Sequence, residues 1–129
     1  TVKGQAVFLA ERASELMQDN IITDRTIIDV MAFAKSSQSM NYIEADDFCS
    51  FASNMLNEYD YIFYITPEGV EIENNGVRET DANYRKTIDE AIQLLIIKYR
   101  HKIVNLIEIK GSTKERIKLV KQAVSFWYL

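Results

Sequence analysis

Apolar positions recur along the chain with two different periods, and these periods predict helices separated by short strands. Residues 4–19 carry apolar side chains at helical spacing. The β-branched run at residues 21–23 then predicts a brief buried strand, which ends in the polar pair Asp24-Arg25. Thr26 is a residue type that caps helices, so a second helix is predicted directly after this pair.

The middle of the chain repeats this order. Asn41 and Glu44 have the spacing of a capping box, which predicts a helix that runs to about Tyr59. Residues 61–65, Tyr-Ile-Phe-Tyr-Ile, are the clearest strand in the sequence. Polar and turn-forming residues fill 66–81, where we expect a small hairpin or a mobile lid.

The last third predicts one more strand between two helices. A long helix is expected over residues 81–101 and a strand over 103–109. Gly111 predicts a turn, and Ser112 with Glu115 predicts a second capping box that begins the last helix.

Helices that alternate with isolated strands predict a single α/β domain over residues 1–129. We expect three layers, α/β/α, with a mostly parallel sheet covered on both faces. Ligands bind at the carboxyl ends of the strands in such sheets. The pairs that fall at this edge are Asp24-Arg25, Thr66-Pro67 and Lys110-Gly111.

Composition and charge narrow the class of protein. The 129 residues are 47% hydrophobic and 26% charged, which is typical of a globular chain. A single cysteine, Cys49, excludes a disulfide-built scaffold and favours a cytoplasmic setting. The net charge of −4 argues against general nucleic-acid binding, and no apolar run approaches the ~20 residues of a membrane span. We therefore expect neither a membrane nor general nucleic-acid binding, and the charge leaves room for a small anionic ligand in one local basic pocket.

Asp24 and Arg25 are the first candidates for chemistry. A carboxylate at a strand end can hold Mg²⁺ through water or accept a proton from an attacking hydroxyl. The neighbouring guanidinium can bind an anion through two hydrogen bonds. The alternative is a helix-capping aspartate beside a solvated arginine. Asp29, one turn later, could add a second carboxylate, although we expect a surface acid.

Arg78 and Arg85 are the second candidates. They flank the end of the predicted lid, where arginines can stabilise charge on a transferred phosphoryl group. Ordinary surface ion pairs are the alternative. The basic residues of the last helix, including Arg116, are expected to form a solvated face, and the aromatic run 126–128 either packs internally or meets a partner.

Together these segments resemble a known family. The stretches NIITDRTIIDVMAFA, EYDYIFYITPEGVEIENNGVRETDANYR and IDEAIQLL, followed by a last strand and helix, are similar to P-loop ATP-binding proteins. The resemblance is to the NadR-type ribosylnicotinamide kinases and to phage and bacterial AAA ATPases, over nearly all of the chain.

The resemblance implies ATP and Mg²⁺ as cofactors and a nucleoside-like acceptor. Asp24 would lie near Mg²⁺ and the acceptor hydroxyl, Arg25 would contact the acceptor, and Arg78 and Arg85 would lie near the ATP phosphates. The adenine would lie near the loop formed by Gly111, Ser112 and Thr113.

One element of that family is missing from the sequence. No Gly-x-x-x-x-Gly-Lys-Ser/Thr segment, the loop that surrounds the phosphates, occurs in these residues. The resemblance places this loop and a central strand before Thr1, with the strand between residues 21–23 and 61–65. We therefore expect either a piece of a longer kinase-like ATPase or a relative completed by a partner strand, and no phosphoryl transfer by these 129 residues alone.

Two other hypotheses stay open. One is a non-catalytic module that senses a nucleotide or assembles with other subunits, including a homo-oligomer. The other is an unrelated α/β domain with no nucleotide role.

Overall fold

The computed structural model describes residues 1–66 and 79–125. In chain order these contain α1 (Val2–Glu15), α2 (Ile27–Ser36), α3 (Tyr42–Ser53), β1 (Ile62–Ile65), α4 (Glu79–Lys98), β2 (Leu106–Ile109) and α5 (Thr113–Ser125). Single turns of 3-10 helix, Leu56–Glu58 and Arg100–Lys102, precede the strands. None of the described helices has the length and apolar character that crossing a membrane requires.

Helices α2 and α3 begin where the sequence predicts, because side chains cap their first turns. At α2 the Thr26 hydroxyl accepts the N–H of Ile28 (3.1 Å), and Asp29 Oδ2 accepts the N–H of Thr26 (2.7 Å). At α3 Asn41 and Glu44 exchange the corresponding bonds at 2.9 and 3.1 Å. These bonds satisfy backbone donors that have no partner within the helix.

Helix α2 forms the centre of the core. It packs against α1, α3 and α4. Met31 and Ala34 have no exposed surface, and Cys49 of α3 donates its S–H to the Met31 carbonyl (3.4 Å). Burial raises the pKa of the Cys49 thiol to about 11, so this residue packs as a small apolar group.

A three-way ionic contact joins the same helices at the surface. Asp46 of α3 accepts hydrogen bonds from Lys98 of α4 (2.9 Å) and Lys35 of α2 (3.2 Å). Lys98 first and then Lys35 lower the pKa of Asp46, since both favour its charged form. One carboxylate therefore bridges three helices at the surface.

Strands β1 and β2 are parallel neighbours, as the alternation of helices and strands predicts. Their register runs from Ile62 opposite Leu106 to Ile65 opposite Ile109. Ile62 belongs to the main core, whereas Ile109 is fully buried outside that cluster. The described part is therefore an α/β arrangement with a small parallel sheet.

The predicted strand at residues 21–23 is wrong for the part of the chain that the structure describes. These residues form no ladder, and Ile22 is 94% exposed. β-Branched residues favour an extended backbone, but a strand exists only when another strand supplies its hydrogen bonds. Helix boundaries also differ: α1 ends at Glu15 rather than near Asp19, α3 ends at Ser53 rather than near Tyr59, and α4 spans Glu79–Lys98 rather than residues 81–101.

The predicted lid falls largely outside the described residues. Thr66 follows β1, and residues 79–81 form the start of α4. Residues 67–78, which include Arg78, lie outside the description, and so does the aromatic run at 126–128.

Candidate functional site

The turn before α2 is held in an unusual backbone conformation. Arg25 has φ = +86°, in the left-handed region that non-glycine residues rarely adopt. This conformation costs about 1–3 kcal/mol of folding free energy and persists only where the surrounding structure holds it. Here the Thr23 hydroxyl donates to the Arg25 carbonyl (2.8 Å), and Arg12 donates to the Asp24 carbonyl (3.3 Å).

A buried tyrosine fixes the start of α2 immediately after this turn. The N–H of Ile27 donates to the Tyr59 hydroxyl at 3.0 Å. Tyr59 is buried, and this burial raises its pKa, so the hydroxyl remains protonated and neutral. The buried hydrogen bond therefore holds the first residue of α2, which directly follows the turn, in a fixed position.

Asp24 presents a free carboxylate from the turn. Its side chain is exposed, and within residues 1–66 and 79–125 no hydrogen bond or ion pair involves its carboxylate. The alternative interpretation of Asp24 as a helix cap is wrong, because Thr26 and Asp29 cap α2. Asp29 is half-buried rather than a surface acid, and burial raises its pKa.

A stack of side chains connects the turn to the beginning of α4. The Arg25 guanidinium lies 5.8 Å from the centre of the Phe33 ring, and the Phe33 and Tyr84 rings stack with centroids 6.4 Å apart. Tyr84 directly precedes Arg85, which is exposed on α4. The structure therefore connects Arg25 to Tyr84 of α4 through an aromatic pair that sequence reasoning missed, and no described contact joins the Arg85 side chain to this stack.

The carboxyl ends of β1 and β2 form a second group. Gly111 has φ = +101°, and a Cβ at this position would collide with the Glu115 carboxylate. Ser112 and Glu115 form the predicted capping box, with bonds of 3.2 and 3.3 Å. The predicted loop of Gly111, Ser112 and Thr113 is thus a tight turn at the start of α5, and glycine is required at its first position.

Arg116 ties the two strand ends together, although the sequence predicted a solvated residue. Its Nε donates to the Gly111 carbonyl (2.8 Å), and its Nη2 donates to the Thr66 carbonyl (3.3 Å). The position of Arg116 in the sequence could have indicated this role. It lies in the first turns of a helix that follows a predicted strand-end glycine, so its side chain is within reach of the strand ends.

A polar network holds β1 against α4. The Tyr64 hydroxyl donates to Asp89 Oδ1 at 2.6 Å. Gln93 donates to the Tyr64 hydroxyl (3.1 Å) and to Asp89 Oδ2 (2.7 Å). Burial first, and then the bond to Asp89, raises the pKa of Tyr64 to about 12.

This shift predicts a pH dependence of stability. An unfolded tyrosine titrates near pH 10, so between about pH 10 and 12 the folded protein keeps a proton that the unfolded chain has released. The contribution of Tyr64 to stability is full below pH 10 and is lost as the pH approaches 12. Denaturant unfolding measures the free energy of unfolding at pH 9 and at pH 11. The decrease between these two pH values should be smaller for Tyr64→Phe than for wild type.

Tyr42→Phe is the matched control, because Tyr42 is 75% exposed. It should lose as much stability as wild type over this pH range. Equal losses in Tyr64→Phe and wild type would contradict the shift.

Comparison with known proteins adds one finding. A family model described as AAA domain matches residues 3–116. No curated protein and no solved structure matches the chain significantly. The matched residues include the Asp24-Arg25 turn, the stack on Tyr84 and the strand-end group around Arg116.

Proposed function

Since this chain belongs to the AAA domain family, we propose that it binds ATP and takes part in phosphoryl transfer to a small nucleoside-like acceptor. Membership indicates an AAA, P-loop NTPase-like domain and, with it, nucleotide binding. The transfer reaction, the class of acceptor and a three-layer arrangement of the complete fold are our proposal.

The proposal rests on the free Asp24 carboxylate and on its neighbour Arg25. Arg25 has a strained backbone, and its guanidinium lies against Phe33, which stacks on Tyr84 of α4. Asp24 would accept the proton of the acceptor hydroxyl, and Arg25 would bind the acceptor. Arg85 and Arg78 would neutralise charge on the phosphates. The Gly111–Thr113 loop would face the adenine. Strain at a turn with an unpaired acid supports a functional rather than a structural role.

The residues fit a magnesium ion that arrives with the nucleotide. Mg²⁺ keeps several waters and phosphate oxygens as ligands, so it needs one or two carboxylates rather than a protein cage. Asp24 supplies one, and residues 1–66 and 79–125 contain no cluster of three or more His, Cys, Asp or Glu side chains that could hold a metal by themselves. When bound, the ion would neutralise phosphate charge.

The test is a titration of the protein encoded by the full reading frame with a fluorescent ATP analogue and Mg²⁺, followed by a nucleoside-dependent ADP release assay. Saturable binding with acceptor-dependent turnover is the expected result. No binding at millimolar nucleotide would refute the proposal.

Binding without turnover would instead favour a non-catalytic nucleotide-sensing or assembly module. One observation favours this second candidate. Ile22 is 94% and Ile21 39% exposed in a segment without regular secondary structure, which is an apolar surface that a further strand could cover. A homo-oligomer in gel filtration with no turnover would support this second function.

A further inference from the structure

A small open cavity lies at the amino ends of β1 and β2, at the end of the sheet opposite the Gly111 turn. Its volume is about 280 Å³, and it is formed by the end of α3, the turn before β1 and the residues that lead into β2. Its polar lining residues are Ser53, Asn54, Asn57, His101 and Lys102. None of the residues that line it is acidic, although the chain carries a net charge of −4. The cavity is therefore a local basic site on an acidic protein.

Lys102 supplies the positive charge of this cavity and is held in place by neutral oxygens. Its Nζ donates to the Ser53 hydroxyl (2.9 Å) and to Asn54 Oδ1 (3.0 Å). Ser53 is fully buried and donates its own proton to the Ser50 carbonyl (2.7 Å), so its oxygen acts as the acceptor for Lys102. Within residues 1–66 and 79–125 no carboxylate forms an ion pair with this ammonium group, whereas two other lysines share the Asp46 carboxylate. The charge of Lys102 is thus positioned but not neutralised.

These contacts leave hydrogen-bond donors unused at the cavity. An ammonium group has three N–H groups, and Lys102 uses two of them in the contacts above. Because an ammonium group only donates, Asn54 turns its oxygen towards Lys102 and keeps both N–H donors of its Nδ2. Asn57 and His101 are exposed, and neither side chain has a hydrogen bond in the described part of the chain. The unused donors surround an uncompensated positive charge.

Helix capping explains only part of this arrangement. Ser53 and Asn54 lie at the end of α3, where the helix dipole favours a cation. Two of the N–H groups of Lys102 serve this purpose. Capping gives no reason for the third N–H group, for the donors of Asn57 and His101, or for a cavity without acidic lining residues.

We propose that this cavity binds the phosphate group of a small molecule. Lysine binds phosphate as a point charge, and the oxygens of a phosphate group accept hydrogen bonds from several directions. A carboxylate has two oxygens in one plane and a single charge, so it would use fewer of these donors. Sites for larger ligands have volumes of about 300–1,000 Å³, so the cavity suits the phosphate group itself rather than a complete nucleotide.

This site does not depend on the proposed nucleotide binding, because it lies at the opposite end of the sheet from the Gly111–Thr113 loop. Free phosphate and the phosphate ester of a small molecule share the chemistry that the cavity recognises. The experiment therefore uses inorganic phosphate in one arm and ribose 5-phosphate in the other.

The test is a titration of the ¹⁵N-labelled protein encoded by the full reading frame, followed by two-dimensional NMR. With inorganic phosphate, the backbone amides of residues 101–104 and the side-chain amides of Asn54 and Asn57 should shift and saturate. Potassium chloride at the same ionic strength should leave them unshifted. Tighter binding of ribose 5-phosphate would identify an ester as the ligand, and equal binding would identify phosphate itself; both results support the site.

Lys102→Gln removes the charge and should weaken phosphate binding at residues 101–104 about 10–100-fold, the range for hydrogen bonds to a charged group. Lys3→Gln is the matched control, because Lys3 is exposed on α1 and the substitution makes the same change in net charge. It should bind phosphate as wild type does.

Asn57→Asp is the second variant, because Lys102→Gln also removes two bonds to the end of α3. Aspartate keeps the shape of asparagine and places a negative charge at the cavity, while both bonds of Lys102 remain. We expect phosphate affinity to fall about tenfold or more, with the melting temperature at the wild-type value because Asn57 is exposed.

Three outcomes would overturn the inference. The first is wild-type phosphate affinity in Asn57→Asp, which decides the matter even if Lys102→Gln does not fold. The second is an equal shift with potassium chloride, which would mean ionic screening alone. The third is a phosphate titration in which residues 101–104 do not shift. If phosphate binds at these residues and ATP does not bind to the protein, the proposed function fails and this site stands.

Discussion

Asp24→Asn is expected to lower nucleoside-dependent ADP release about 10²–10⁴-fold, the range for removal of a general base. Asparagine has nearly the same shape as aspartate but neither accepts the proton of an attacking hydroxyl nor carries charge. The Asp24 side chain is exposed and makes no recorded bond within the described residues, so the melting temperature should stay at the wild-type value. Steady-state turnover at saturating ATP and thermal unfolding measure the two effects on the full reading-frame protein.

Asp60→Asn is the control for this experiment. Asp60 is also exposed, and its recorded hydrogen bond is made by its backbone carbonyl, which the substitution retains. Wild-type turnover in Asp24→Asn would remove Asp24 from the proposed chemistry. A loss of turnover accompanied by an equal loss of stability would assign Asp24 a structural role instead.

Met31→Ala is expected to reduce the free energy of unfolding by about 2–5 kcal/mol, because the truncation leaves a cavity that the surrounding helices fill only partly. Met31 has no exposed surface and lies in α2, the helix that packs against α1, α3 and α4. Its carbonyl still accepts the bond from Cys49, so the substitution tests packing alone. Urea denaturation monitored by circular dichroism gives the difference.

Met17→Ala removes the same atoms from a side chain that is 86% exposed. Its effect should stay within about 0.5 kcal/mol, as for most surface substitutions. Similar losses in the two variants would mean that α2 is not the centre of the core.

The helix starts could be predicted from the sequence because their causes are local. Asn41 with Glu44, and Ser112 with Glu115, satisfy backbone donors within three residues of each other, so no distant part of the chain decides the outcome. The strand at residues 62–65 was also predictable, since five strand-forming residues lie between polar ones.

Features that need a distant partner could not be predicted. Residues 21–23 have the composition of a strand, but their conformation depends on a neighbour that local propensity does not specify. The same limit applies at the site. Asp24 and Arg25 were identified by residue type and position, whereas the stack of Phe33 on Tyr84 joins residues from two helices. Arg116 appeared solvated because its bond to the Thr66 carbonyl spans a large sequence separation.

The parallel pairing of β1 with β2 also sets an order of events during synthesis. Helices α1 to α3 precede both strands in the chain, so their contacts can form first. Ile62 finds its partner Leu106 only about 44 residues later, which at roughly 5–20 residues per second is a delay of several seconds. During that interval the edge of β1 that pairs with β2 is open and exposed to pairing with other chains, so the nascent protein should be most prone to aggregation and most dependent on chaperones between the emergence of β1 and that of β2.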